Sequence, residues 1–127
     1  MNTLTQYEYH LEAEYKRWEI LLSTIKNENT FLMLKLSEVL DGTVDKDFII
    51  KAEYFQNEFI VKGDYIKGME RYIKAEVQLI SGGNDEKASA KISSRYEKFK
   101  NEIKYFERNF LALKMEFEKS ITKISLP

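Results

Sequence analysis

The chain has 127 residues, no cysteine, a single proline at its last position, and 20 basic against 21 acidic side chains for a net charge of −1. That length suits one domain, residues 1–127, with a core of its own. The missing thiols exclude a disulfide scaffold, a thiolate zinc site and a cysteine nucleophile, and the charge balance gives no global pull toward nucleic acid or an anionic membrane.

Breaker residues cluster at only two interior places, Asp41-Gly42-Thr43 and Ser81-Gly82-Gly83-Asn84-Asp85, and they cut the chain into three segments. The first, about residues 3–40, repeats Leu4, Leu11, Trp18, Ile25, Leu32 and Val39 every seventh residue. A second line follows four residues behind: Glu8, Tyr15, Leu22, Asn29 and Leu36. Only a helix produces a heptad sustained over this length. Thr5 with Glu8 fits a capping box, Leu4 and Tyr9 a hydrophobic staple, and Gly42 a left-handed C-terminal stop. Asn27-Glu28-Asn29-Thr30 contains poor helix formers, but the heptad phase is the same on either side, which predicts one continuous helix.

The second segment, about residues 46–80, alternates steps of four and three through Phe48, Ala52, Phe55, Phe59, Lys62, Ile66, Met69, Ile73, Glu76 and Ile80. Asp45 is placed as its N-cap, with Val44 and Ile49 as a staple. Gly63 and Gly68 each weaken a helix interior by about 1 kcal/mol relative to Ala, yet the phase carries through both. The third segment, about residues 85–124, is the most regular, stepping through Ile92, Tyr96, Phe99, Ile103, Phe106, Phe110, Leu113, Phe117, Ser120 and Ile124. Asn84 or Asp85 is its expected cap.

Three helices joined by short connections predict an all-α antiparallel bundle with coiled-coil-like heptad packing. Its apolar surface is wider than one seam per helix: Ile20, Leu21 and Leu34 lie off the first stripe, Ile49, Ile60, Val61 and Leu79 off the second, and Leu111 and Met115 off the third. Either a broad stripe lines the core or a second face serves association; a homodimer would complete the bundle.

No catalytic set is visible. His10 is the only histidine, and no Glu stands three residues before it, so a di-iron bundle site is excluded. No Gly-x-Ser-x-Gly elbow and no phosphate-binding Gly-Lys-Ser/Thr loop occurs. Neither a metal, a cofactor nor a small-molecule substrate is expected. No apolar run exceeds four residues, far short of the roughly 18 that span a bilayer. Residues 1–10 lack the features of a secretory signal, and a cytoplasmic protein is expected.

Polar residues at seam positions, namely Asn29, Lys62 and Glu76, are read as devices that fix register; Lys62 could reach Glu76 only across two antiparallel copies. Helix three is net basic and presents Lys87, Lys91, Arg95 and Lys98 on one flank, either a phosphate-tracking strip or a complement to the acidic first helix. Exposed carboxylates are expected to pair one turn along, as Glu12 with Lys16 and Glu70 with Lys74. Tyr54, Tyr65 and Tyr72, with Gly63 and Gly68 among them, form the expected protein-binding patch, since tyrosine offers area with a polar tip and glycine lets a backbone approach. The leading reading is a non-enzymatic helical adaptor that self-associates. A small inhibitor or regulator of a heterologous macromolecule, such as a defence or secretion component, stands second, and nucleic-acid binding through helix three stands third.

Overall fold

A computed structural model describes residues 5–82 and 86–125. It contains three helices, α1 (Gln6–Gly42), α2 (Lys46–Ser81) and α3 (Glu86–Ser125), each about 55–60 Å long at 1.5 Å per residue. Both suspected breaks are helical: α1 runs unbroken through Asn27–Thr30 and α2 through Gly63-Asp64.

The helix starts follow the sequence signals. Thr5 and Glu8 form the reciprocal box, with Glu8 N–H donating to Thr5 Oγ1 at 3.1 Å and Thr5 N–H donating to Glu8 Oε1 at 3.2 Å, which satisfies two backbone donors that a helix N-terminus leaves bare. Asp45 caps α2 by accepting from Phe48 N–H at 2.9 Å. Two expectations fail. Gly42 is the last helical residue rather than a left-handed stop, and the chain leaves through Thr43 in extended conformation. Val44 is 93% exposed and so does not staple onto Ile49: the short turn 43–45 carries its side chain away from the bundle. Leu4, half of the first staple, and the caps Asn84 and Asp85 lie outside the described residues.

Contacts between helices fix the topology as up-down-up. Asn29 Nδ2 donates to the Phe59 carbonyl, Lys26 reaches Glu70 and Ser81 donates to Glu12, so α1 and α2 run antiparallel. Glu76 meets Arg95, Tyr65 meets Glu102 and Tyr54 meets Glu116, an equally regular antiparallel register between α2 and α3. Tyr7 and Ser93 share a hydrogen bond of 2.8 Å near the two N-termini, while Glu28 pairs with Lys114 further on; α1 and α3 are therefore parallel.

Burial follows the four-three steps. Leu11, Tyr15, Leu22, Ile25, Asn29, Leu32 and Leu36 are buried in α1, every seam residue of α2 except Lys62 is buried, and in α3 the buried line runs from Ile92 to Phe117. Each large apolar side chain so covered contributes roughly 1.5–3 kcal/mol. The seams differ in bulk. Between α1 and α2 the contact passes Ala52 and Gly63, where a Cβ would lie 3.6 Å from Asn29 Nδ2. Toward α3 it is aromatic: Phe117 stands edge-on to Phe55 and Phe59 at 5.2 and 5.3 Å, and Trp18 stacks on Tyr96 at 5.3 Å. The backbones of α1 and α2 accordingly run close along much of their length, and α3 sits further from both.

Candidate interaction surface

The polar residues of the seams are resolved within one chain. Asn29 is buried and ties its amide to the Phe59 carbonyl at 2.9 Å, directly beside Gly63. A Cβ at 63 would touch that amide at 3.6 Å, so Gly63 lies in the α1–α2 seam and not on an outer face. Glu76 is buried at 4% exposure and accepts from Arg95 Nε at 2.7 Å and Nη2 at 3.4 Å, a forked charge-assisted pair. Burial raises the pKa of the Tyr15 hydroxyl beside this pair, and Tyr72 and Glu76 raise it further. Lys62 is turned along α2 to Glu58 at 3.3 Å, so the antiparallel Lys62–Glu76 contact between copies has no unpaired Glu76 to use.

This pairing also takes Arg95 out of the expected basic strip. Lys91 and Lys98 remain exposed, and Lys87 lies outside the residues whose side chains are described. The basic charge of α3 is partly spent inside the bundle, through Arg95 to α2 and Lys114 to Glu28 of α1. Glu12 pairs with Lys16 at 2.9 Å as expected, whereas Glu70 reaches across to Lys26 at 3.6 Å rather than along its own helix to Lys74. His10 is exposed. Among the described residues no group of three or more His, Cys, Asp or Glu side chains is placed to hold a metal, and no helix is long and apolar enough to cross a membrane.

Four of the five expected patch residues come together on the α2 flank that borders α3. Tyr65 stacks on Phe106 at 5.3 Å and its hydroxyl donates to Glu102; burial first, then that hydrogen bond and the charge of Glu102, push its pKa up to about 12. Tyr72 stacks on Phe99 at 4.9 Å, and Tyr54 packs edge-on to Phe55 while donating to Glu116 at 3.4 Å. Gly68 faces open space, with nothing within 4 Å of a Cβ built there. Because aromatic seams hold α3 off α2, a groove opens along this flank as two adjoining hollows. One, of about 190 Å³, is lined by Val61, Lys62, Tyr65, Glu102, Tyr105, Phe106 and Asn109. The other, of about 310 Å³, lies over Gly68 between Asp64, Tyr65, Tyr72, Phe99 and Glu102.

A second surface escaped the sequence reading. From Ile20 to Leu34 the residues of α1 that point away from the bundle are Ile20, Ser23, Thr24, Asn27, Thr30, Phe31 and Leu34, all exposed and none charged, and the exposed charges Lys35 and Glu38 follow directly after them. Ile20, Phe31 and Leu34 are 69%, 64% and 61% exposed. The charges of this stretch stand on the flanks, where Lys26 and Glu28 already bridge to α2 and α3. Thr24 and Thr30 donate back to the carbonyls of Ile20 and Lys26 at 3.0 and 3.1 Å, which satisfies their hydroxyls within the helix. The signal was present in the sequence as a charge-free outer register, but counting apolar residues off the seam found Ile20 and Leu34 and missed Phe31 and the neutrality. Compared with protein-family models, curated proteins and solved structures, the chain finds no match.

Proposed function

We propose that this chain is a non-enzymatic, cytoplasmic protein-interaction module that self-associates through the outer face of α1. The neutral stripe from Ile20 to Leu34 carries the reading. Charged residues make up 32% of the sequence, and an exposed helix face normally takes a large share of them. Over about four helical turns this one takes none. A second copy suits such a face, because a neutral stripe laid on itself brings no like charges together and leaves no charge unpaired.

Area points the same way. The elongated chain exposes 8790 Å², whereas a compact monomer of this mass exposes about 7,100 Å². The surplus exceeds the roughly 800 Å² that each partner contributes to a standard interface. Light scattering after size exclusion, over a concentration series, tests the reading. Wild type should run as a dimer, and Phe31→Glu with Leu34→Glu should run as a folded monomer with unchanged helicity. A wild-type monomer at every concentration would remove the proposal, as would a double variant that stays dimeric.

A further inference from the structure

We propose that the groove between α2 and α3 binds a basic amphipathic helix of a partner protein, seating an apolar side chain against Val61 and Phe106 and a Lys or Arg over Gly68. This deepens the reading of the chain as an interaction module and rests on it, but uses a different face from the α1 stripe.

Charge selects the occupant. The two helices each contribute a carboxylate to the second hollow, Asp64 from α2 and Glu102 from α3. The single basic residue lining the groove, Lys62, is already held by Glu58, which leaves a net negative lining. Lys98 stands one turn beyond Glu102 on α3, so the rim turns basic there and bounds the acidic site on that side. Aromatic faces reinforce the choice: Tyr65 and Tyr72 are stacked on Phe106 and Phe99, and a cation desolvated against such rings and carboxylates gains from both. The site is also stiff, since each tyrosine ring is backed by a buried phenylalanine and Glu102 is fixed by the Tyr65 hydroxyl. Little side-chain freedom is then lost on binding.

Gly68 gives the second, independent observation. A glycine in a helix interior costs stability, and nothing inside the bundle requires this one: a Cβ there would meet no atom within 4 Å. At Gly63, by contrast, a Cβ would rest against the Asn29 amide of α1 at 3.6 Å, an ordinary contact within the bundle. What a bare position at 68 provides is depth, allowing a long side chain to lie across α2 between Tyr65 and Tyr72. The first hollow is lined mainly by apolar atoms of Val61, Tyr65, Tyr105 and Phe106 and suits Leu, Ile or Met. The hollows are centred about five residues of helix rise apart, roughly 7 Å, which matches side chains at i and i+4 on a docked helix.

The test is selection of a displayed library of 16-residue helical peptides, randomised on one face, against the full-length chain. Selected peptides should place Lys or Arg four residues from a large apolar residue. Their affinity should fall at least about tenfold for Asp64→Asn with Glu102→Gln, and for Gly68→Leu, while both variants keep the helicity and solution mass of wild type. Peptides enriched in acidic residues, peptides indifferent to all three substitutions, or no enrichment at all would overturn the inference. If bound peptide instead converted a wild-type dimer to monomer, the groove would be the contact between copies, and the partner helix would be discarded in favour of a second copy. The mass of the unliganded chain reports separately on the α1 stripe, so either proposal can fail while the other stands.

Discussion

Along α1 and α2 the seam is built on Ala52, Gly63 and a buried amide, whereas between α2 and α3 it is built on Phe55, Phe59, Phe99, Phe106 and Phe117. The first contact brings the backbones close, and a Cβ at Gly63 would already touch the Asn29 amide. The second holds the backbones apart, and the space above the rings becomes a groove. Side-chain bulk at a few seam positions thus decides which face of a three-helix bundle is smooth and which can receive a ligand. The two glycines of α2 show the same contrast about one turn and a half apart: a Cβ at Gly63 would touch its neighbour's amide at 3.6 Å, and one at Gly68 would touch nothing.

The strongest way to break the contrast is to remove an aromatic spacer. Phe117→Ala deletes a fully buried ring that meets both Phe55 and Phe59 and should cost about 3–5 kcal/mol by urea unfolding. The loss should be larger than for Ala52→Gly on the α1–α2 side. Next comes Arg95→Ala, which strands the buried Glu76 carboxylate. Breaking a buried pair costs about 3–5 kcal/mol, and because Arg95 is itself 36% exposed at its side chain the expected loss is about 2 kcal/mol. Glu76→Gln placed on top of Arg95→Ala should recover part of it, which a double-mutant cycle measures.

Alkaline pH probes the aromatic side as a whole. Desolvation is the largest cause raising the pKa of Tyr15, Tyr54, Tyr65, Tyr72 and Tyr96 above 10.0. The folded state therefore holds these phenols neutral while the unfolded chain ionises at its ordinary pKa. Their contribution is complete below about pH 10 and is lost as pH rises, through about 12 for Tyr65. Circular dichroism with absorbance at the phenolate band should show unfolding in that window. Tyr15→Phe should move the transition to higher pH, more than Tyr65→Phe does, because Tyr15 is fully buried. The smallest effects come from the glycines: Gly68→Ala and Gly63→Ala should each stabilise the fold by about 1 kcal/mol, since a methyl at 68 meets no atom within 4 Å and one at 63 makes only an ordinary contact, 3.6 Å from Asn29 Nδ2.

Much of this architecture was legible in the spacing. The four-three steps located nearly every buried residue, and phase continuity correctly carried both helices through Asn27–Thr30 and Gly63-Asp64, because propensity at single residues yields to packing of the whole stripe. Polar exceptions were located but not paired. That Glu76 would find Arg95, and Lys62 only Glu58, depends on the register between helices, which periodicity within one helix leaves open. The tyrosine patch was legible as a set of residues on one flank, but Gly63 belonged to the opposite one; seven-residue steps place it beside Glu70, which faces α1. The groove needed the pairing of Tyr65 with Phe106 and of Tyr72 with Phe99 to become visible. The neutral outer face of α1 required asking where charges are missing, not only where apolar residues gather.

The central claim, that two copies meet through α1, is tested most directly by a distance between them. The chain has no cysteine, so Asn27→Cys places one spin label per copy in the middle of the stripe, and Lys67→Cys on the outer face of α2 serves as the comparison. Pulsed dipolar spectroscopy should show a short, well-defined coupling between the two labels at position 27 and a longer or weaker one at position 67. No coupling at position 27, or a shorter distance at 67, would contradict the account.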